Sequence, residues 1–250
     1  MNKQEIEIRE CRSIGDLSQC VALQKEVFAL PDIEISPVRH FIVSRQAGGF
    51  TMGAFAGDLL VGFVLSVPAF FGGERFFYSH MAAVKGNFQG SGIGAKLKWA
   101  QRETALEKGI KYIKWTFQPV QSRNAFFNLE KLGVIIKHYE PNFYGTDYST
   151  SGGQSKNIRL DSDRLFAEWH LEDEKVKRFA KGEKYSENAE VVKRIELRFK
   201  WNELVKNDPQ KAVNEQNRIK DEFQAAFADG LICRRFERGA EMSAYLLYQK

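Results

Sequence analysis

The chain has 250 residues, a formal net charge of +5 and a sequence pI near 9.0. Hydrophobic residues make up 43% and charged residues 28%, which is usual for soluble globular proteins and excludes disordered, collagen-like and disulfide-framed chains. This length fits one large domain or a medium domain with a smaller one. The mild basic excess favours anionic ligands, but without a dense basic tract it does not predict a nucleic-acid partner.

The apolar and cysteine patterns bear on the cellular location of the protein and on metal binding. The most apolar stretch, residues 59–71, is interrupted by glycine, serine and proline, so no membrane span or membrane partner is expected. The N-terminal residues include acidic side chains and no apolar run, which favours a cytoplasmic protein without a secretory signal. Cys11, Cys20 and Cys233 have no metal-ligand spacing, so we expect buried free thiols and no metal site.

The first part of the chain predicts helices followed by an antiparallel sheet. Hydrophobic periodicity places these elements in order: a strand at 6–9, a helix at 13–30, a short helix from 36 to before 48, and strands at 50–55, 59–71 and 75–84. Glycine-containing turns at 56–58 and 72–74 join the three strands as a meander.

The middle of the chain predicts parallel pairing. Its elements are a helix opening near residue 93 and ending at Gly109, a strand at 111–117, a helix at 122–132 and a strand at 134–139. Residues 149–155 read Ser-Thr-Ser-Gly-Gly-Gln-Ser, which is typical of a flexible linker. We therefore expect domains at 1–150 and 151–250.

The C-terminal part predicts a strand that returns to the first sheet and then a separate unit. The strand lies at 165–171, with Trp169 as a core anchor, and a charged helix follows at 172–182. The remaining elements form a β-α-β-β unit at 195–199, 209–229, 231–236 and 242–248. The whole pattern favours a mixed α/β fold.

The segment Gln89-Gly90-Ser91-Gly92-Ile93-Gly94 joins a strand to a helix and carries the chemical information. Small residues before a helix let backbone N–H groups converge on an anion, so a phosphate is the natural ligand. Its glycine spacing departs from the dinucleotide fingerprint G-x-G-x-x-G and from the P-loop. A nucleotide-dependent oxidoreductase is therefore only a third hypothesis.

This segment resembles the acyl-coenzyme A signature Q/R-x-x-G-x-G/A of the GNAT acetyltransferase superfamily, with Gln89, Gly92 and Gly94 at the defining positions. A strand ending in a pattern like Ala82-Ala83-Val84 precedes the signature in that family. The segment 122–133 resembles the family's later helix motif, N-x-x-A-x-x-x-Y-x-x-x-G. The resemblance covers roughly residues 6–144, and the chain is most similar to GNAT acetyltransferases with an extra C-terminal region.

The resemblance implies a GNAT-like acyl-CoA-binding fold with a C-terminal β-α-β-β extension, and coenzyme A in an opening between the fourth and fifth strands. It implies acetyl-CoA as acyl donor, its pantetheine arm paired with the strand and its pyrophosphate at the loop. Lys96, near the helix start, is a candidate partner for the phosphates. The implied cofactor-binding residues are Ala82, Ala83, Val84, Gln89, Gly90, Ser91, Gly92, Ile93, Gly94, Lys96 and Asn124.

Two positions depart from the family pattern. Leu129 stands where the family often has the Tyr that protonates the departing thiolate. Tyr144 is a candidate replacement, with a packing role as the alternative. Ser122 stands where the motif's Asn usually lies, and Asn124 is displaced by two residues, so position alone does not assign either one.

His80 is the candidate general base, because it precedes the strand end that should line the acetyl group and imidazole titrates near neutral pH. The alternative is a structural histidine that hydrogen-bonds across the sheet. Backbone N–H groups around Ala82–Val84 are candidates to polarise the thioester carbonyl.

We therefore expect an N-acetyltransferase that moves acetyl from acetyl-CoA to an amine by direct attack in a ternary complex. The acceptor would be a small-molecule or peptide amine. A catalytically silent acyl-CoA-binding or interaction module is the alternative.

Four phenylalanines lie around the turn at 72–74: Phe70, Phe71, Phe76 and Phe77. We expect them to belong to the core, with an acceptor pocket or a homodimer contact as alternatives.

Overall fold

The computed structural model describes residues 5–146, 160–239 and 242–250 and divides them into two compact units. Unit 1 comprises the described residues up to Lys114, and unit 2 comprises those from Trp115 onward. The predicted linker at 149–155 lies outside the described residues. A functional division at residue 150 stays a prediction.

Unit 1 contains five strands, in the order β1-β2-β3-β4-β5. All neighbours are antiparallel except β4 and β5, which are parallel. Its elements are β1 (Ile6–Glu10), α1 (Ile14–Phe28), a 3-10 turn (Asp32–Glu34), α2 (Val38–Gln46), β2 (Phe50–Ala56), β3 (Leu59–Phe71), β4 (Glu74–Val84), a 3-10 turn (Gly86–Phe88), α3 (Ile93–Glu107) and the first half of β5 (Tyr112–Phe117). The predicted meander and the parallel pairing of β4 with β5 are confirmed.

Helix α1 begins at a capping box. The Ser13 hydroxyl accepts the backbone N–H of Asp16 at 3.0 Å, and the Asp16 carboxylate accepts the N–H of Ser13. Both guanidinium nitrogens of Arg9 donate to Asp16 at 3.0 Å, which lowers the pKa of that carboxyl to about 2. The cap and the ion pair fix α1 against β1.

Helices cover both faces of the unit 1 sheet. Phe63 and Leu65 of β3 pack with α1 and α2, in a core that includes Leu17, Cys20 and Phe41. Residues 62 and 66 alternate with these positions and face α3: a Cβ at residue 62 would touch the Leu97 side chain, and Ser66 bonds a residue of α3. The sheet is therefore buried from both sides.

The turn between β3 and β4 corrects one expectation. Phe70 and Phe71 are 73% and 81% exposed at the hairpin tip, so the prediction that they belong to the core is wrong. Phe77, four residues past the turn, is 3% exposed and packs edge-to-face on Phe50. The tip of this hairpin is therefore exposed to solvent, while β4 enters the core within a few residues of it.

Unit 2 contains the strands in the order β5-β7-β6-β9-β10-β8, with antiparallel pairing from β7 to β8. Its elements are the second half of β5, α4 (Ser122–Phe126) continued by a π-helical turn (Phe127–Leu132), β6 (Ile135–Glu140), β7 (Arg164–His170), α5 (Glu174–Ala180), β8 (Lys193–Leu197), α6 (Trp201–Asn207), α7 (Pro209–Ala228), β9 (Ile232–Arg238) and β10 (Ser243–Tyr248). The C-terminal order is β-α-α-β-β, so the predicted β-α-β-β unit misses α6.

Buried side chains tie the unit 2 strands to α4 and its flanking turn. The Trp169 indole donates to the Leu132 carbonyl at 2.8 Å, and its side chain is fully buried, which confirms it as a core anchor. Glu130 accepts Nε of Arg235 at 2.9 Å and the backbone N–H of Phe236 at 2.8 Å. These bonds hold the π-helical turn on β9.

Candidate functional site

The candidate site of unit 1 is built around the C-terminal half of β4. The β3–β4 register shifts between Leu65 and Ser66, whose partners are Met81 and Ser79. His80 is therefore the extra residue of a β-bulge, a feature that re-aims a side chain and weakens pairing on the bulged strand. Within unit 1, β4 pairs in parallel with β5 at Phe77 and Tyr78, just before the bulge.

The loop after β4 turns through two glycines. Gly90 and Gly92 have φ angles of +81° and +87°, a region that L-residues with side chains rarely occupy. A Cβ at either position would meet no atom within 4 Å, so backbone conformation is what requires glycine here. Gln89 closes the loop onto the strand by donating Nε2–H to the Val84 carbonyl at 3.0 Å.

The loop ends at an open helix N-terminus. Gly92 is the N-cap residue of α3, and no side chain among the described residues caps this 15-residue helix. No acidic residue lies in its first turn, and its first helical bond is the one from the Lys96 N–H to the Gly92 carbonyl at 3.1 Å. The N–H groups of Ile93, Gly94 and Ala95 thus lack intrahelical acceptors.

These groups fit a pyrophosphate. The partial positive charge at the start of α3 and its converging N–H groups favour an anion. The loop residues Gln89–Gly92 are exposed, and so is Lys96. The loop therefore leads into an exposed, uncapped helix start, with Lys96 on the first turn of the same helix.

His80 lies in β4, the strand that leads into this loop. Its side chain is solvent-accessible, yet the surrounding protein desolvates the imidazole and lowers its pKa below the usual 6.5, and His40 lowers it further. A lowered pKa keeps the ring unprotonated at neutral pH. An accessible neutral imidazole is suited to accept a proton.

A buried cluster of polar side chains lies between α3 and strands β3 and β4, and the sequence analysis did not predict it. Lys98 of α3 is 4% exposed and donates Nζ–H to Ser79 Oγ and to Gln101 Oε1, both at 2.9 Å. Gln101 in turn donates to Ser66 Oγ at 2.8 Å. Burial holds the Lys98 pKa well below its usual value. The signal in the sequence was Lys98, a polar residue beside Leu97 on a helix that is covered by a sheet.

Two candidate residues lie in unit 2. Asn124 is exposed on α4. Tyr144 donates its backbone N–H to Ser162 Oγ at 2.7 Å, stacks edge-to-face on Phe143 with centroids 4.6 Å apart, and has the Arg164 guanidinium 5.0 Å from its ring. These contacts fit the packing role. Roles for Asn124 and Tyr144 in catalysis or binding stay predictions.

The three cysteines are buried and free, as expected from the sequence. Cys11 and Cys20 lie in the unit 1 core with their sulfurs 3.9 Å apart, and this contact together with burial raises the pKa of Cys20. Burial also raises the pKa of Cys233 in unit 2. None of them has the exposed setting of a nucleophilic thiol.

Neither a membrane helix nor a metal cluster is found in residues 5–146, 160–239 and 242–250. No helix there is long and apolar enough to cross a membrane. No group of three or more His, Cys, Asp and Glu side chains there could hold a metal ion.

Comparison with known families assigns the N-terminal half. Residues 18–133 match the family described as the acetyltransferase (GNAT) family. This part of the chain is a GNAT acetyltransferase family domain. The match begins in α1 and ends at Gly133, so the GNAT domain includes the glycine loop and His80 of unit 1, together with α4 of unit 2.

Solved structures share the fold. A protein of Desulfovibrio desulfuricans assigned to the GNAT family has 15% identity and a TM-score of 0.53, over 67% of this chain and 99% of that one. The ribosomal-protein-S18-alanine N-acetyltransferase of Escherichia coli has 13% identity and a TM-score of 0.51, over 74% of this chain and 99% of that one. A Salmonella typhimurium protein assigned as an acetyltransferase, solved with its cofactor acetyl-CoA, has 15% identity and a TM-score of 0.52, over 68% and 95% of the two chains.

No protein with curated functional information matches the chain. At identities of 13% to 15% the structural matches establish the fold, which is the mixed α/β fold expected from the sequence.

Proposed function

We propose that this protein transfers the acetyl group of acetyl-CoA to an amine by direct attack in a ternary complex. The supporting observation is that the open N-terminus of α3, the Gln89–Gly94 loop and His80 occupy one continuous stretch of unit 1, from residue 80 to residue 94. The GNAT domain supplies the general expectation of acetyl transfer. The Salmonella structure that holds acetyl-CoA supports the choice of donor.

The donor would be held by the backbone of this stretch. Acetyl-CoA supplies an activated thioester. The N–H groups of 90–95 would bind its pyrophosphate, and the backbone of Ala82, Ala83 and Val84 would pair with its pantetheine arm. In the described part of unit 1, the edge of 82–84 that faces away from β3 pairs with no strand, so these backbone groups are available. Their N–H groups are candidates to polarise the thioester carbonyl.

His80 would accept a proton from the acceptor. An amine is a nucleophile only after its ammonium form has lost a proton, and the neutral imidazole of His80 is the accessible base in this stretch. The buried, high-pKa thiols of Cys20 and Cys233 argue against a covalent acyl-enzyme. Direct transfer to a small-molecule or peptide amine is the simpler chemistry.

A test combines binding with turnover. We expect acetyl-CoA, and not NAD, to raise the unfolding temperature, because a ligand at about 100 times its Kd stabilises a fold by about 2.7 kcal/mol. Release of the coenzyme A thiol should then accelerate with one or more members of a panel of primary amines and peptides. His80→Ala should bind acetyl-CoA as the wild type does and lose kcat by about 10²- to 10⁴-fold.

The outcomes separate the alternatives. Binding of acetyl-CoA without turnover on any amine would favour the catalytically silent module. Binding of NAD alone would revive the oxidoreductase hypothesis. His138→Ala is the matched control, because His138 is an exposed histidine of unit 2 and its replacement should change neither binding nor rate.

A further inference from the structure

His40 lies against His80 in unit 1, although no motif in the sequence pointed to it. The two ring centroids are 5.3 Å apart and the ring planes are inclined by 60°, an edge-to-face contact. His40 is on α2 and His80 is in the bulge of β4, so the contact joins a helix to the strand beside the glycine loop. Two imidazoles in such contact repel each other when both carry a proton.

His40 is itself held in place from α1. Its Nδ1 lies 3.1 Å from the Ser36 hydroxyl oxygen. The Gln24 side chain, 1% exposed, accepts the Ser36 backbone N–H at 3.0 Å and donates to the Ser36 carbonyl at 3.1 Å. This chain of bonds from Gln24 through Ser36 fixes the position of the His40 ring.

The other charged groups near the two histidines do not account for the shift of the His80 pKa. Strands β2 and β3 carry no charged side chain. Most charged residues of the adjoining elements pair with other groups or are exposed: Lys25 pairs with Asp32, Glu26 pairs with Lys85, Arg45 donates to the Arg12 carbonyl, and Arg39 is exposed. Lys114 of β5 does not contribute to the shift of the His80 pKa. After burial, His40 is the group that acts on the pKa of His80, and no carboxylate among the described residues raises it.

We propose that His40 is a positioning residue of the acetyl-transfer site, which holds the His80 imidazole in place and keeps it free to accept the proton of the incoming amine. This rests on the proposed function. His80 takes one proton from the acceptor's ammonium group. As the N–C bond forms and the C–S bond breaks, the second proton of the nitrogen ends on the departing thiolate. His80 then returns its proton to solvent.

The test is His40→Asn, which keeps a polar group within reach of Ser36 but removes the ionisable ring. The chain has four histidines, so their imidazole resonances can be followed individually during an NMR pH titration. We expect the pKa of His80 to be higher in H40N than in the wild type, because the neighbouring imidazole that lowers it is gone. In parallel, kcat/KM should fall several-fold at pH 6 and by a smaller factor at pH 8, with the same Kd for acetyl-CoA.

Two further variants separate positioning from general damage. Ser36→Ala keeps both imidazoles but removes the anchor of His40, so kcat should fall with no change in Kd. His138→Asn should alter neither the His80 titration nor the rate. An unchanged His80 pKa and an unchanged pH profile in H40N, in an active protein, would overturn the inference alone. A wild type that binds acetyl-CoA and acetylates no amine would reject the proposed function, and the role of His40 in transfer with it.

Discussion

Gln89 donates its Nε2–H to the carbonyl of Val84 at 3.0 Å, so the first residue of the acyl-coenzyme A signature is bonded to the last residue of β4. This bond gives the signature glutamine a structural task. It fixes the distance between the strand that would pair with the pantetheine arm and the loop that would bind the pyrophosphate.

Gln89→Ala should therefore weaken the binding of acetyl-CoA. One side-chain hydrogen bond contributes about 1 kcal/mol, which corresponds to about a fivefold higher Kd in titration calorimetry. Gln19→Ala is the matched control, because Gln19 also makes side-chain bonds to backbone but has no partner in the glycine loop: it accepts the Leu60 N–H at 2.8 Å and donates to the Asp58 carbonyl. Equal loss of affinity in the two variants would contradict a specific role for Gln89.

Gly92→Val should abolish binding of acetyl-CoA while unit 1 remains folded. A side chain at a φ of +87° costs about 1 to 2 kcal/mol and forces the start of α3 out of its present conformation. Gly57→Val is the control, because Gly57 has a φ of +60° in the β2–β3 turn and an added Cβ there would also meet no atom within 4 Å. Thermal unfolding with and without acetyl-CoA should show a ligand-induced shift in G57V and none in G92V.

Lys98→Met should reduce the pH dependence of stability. Burial lowers the pKa of Lys98 well below 10.5 in the folded protein, so between that lowered value and 10.5 the unfolded chain binds more protons. The free energy of unfolding should thus rise with pH, by at most about 1.4 kcal/mol per pH unit from this one group.

Urea denaturation from pH 7 to pH 10 measures this slope. It should be smaller in K98M than in the wild type. K96M is the matched control, because it makes the same substitution at an exposed position of the same helix. A K98M protein with the wild-type slope would show that Lys98 stays protonated in the folded state.

Leu129→Tyr should destabilise the protein without restoring the family's usual proton donor. Leu129 is fully buried in the π-helical turn of unit 2, and a larger side chain in a packed core costs about 1 to 3 kcal/mol. Leu129→Met, which nearly conserves volume, should cost less than about 1.5 kcal/mol. A stable L129Y protein with a higher kcat would instead show that this slot accepts a donor.

Most helices and strands of the fold could be predicted from the sequence. Apolar periodicity located α1 and α7 within a few residues, because each helix buries one face along its whole length. Helix α6 was missed because it is only seven residues long and buries just Leu204, which is too short a pattern for periodicity to reveal. In the structure, α6 packs against α7.

The sequence by itself determined the glycine loop. Gln89–Gly94 are contiguous, and positive φ angles at Gly90 and Gly92 are a local property that the residue type alone can signal. Only the tertiary structure decided which side chains meet. His40 and His80 lie forty residues apart in the sequence, and they come into contact because a bulge in β4 coincides with a helix that Gln24 and Ser36 hold in place. Such a contact depends on the packing of α2 against the sheet, a long-range energy that leaves no pattern in the local sequence.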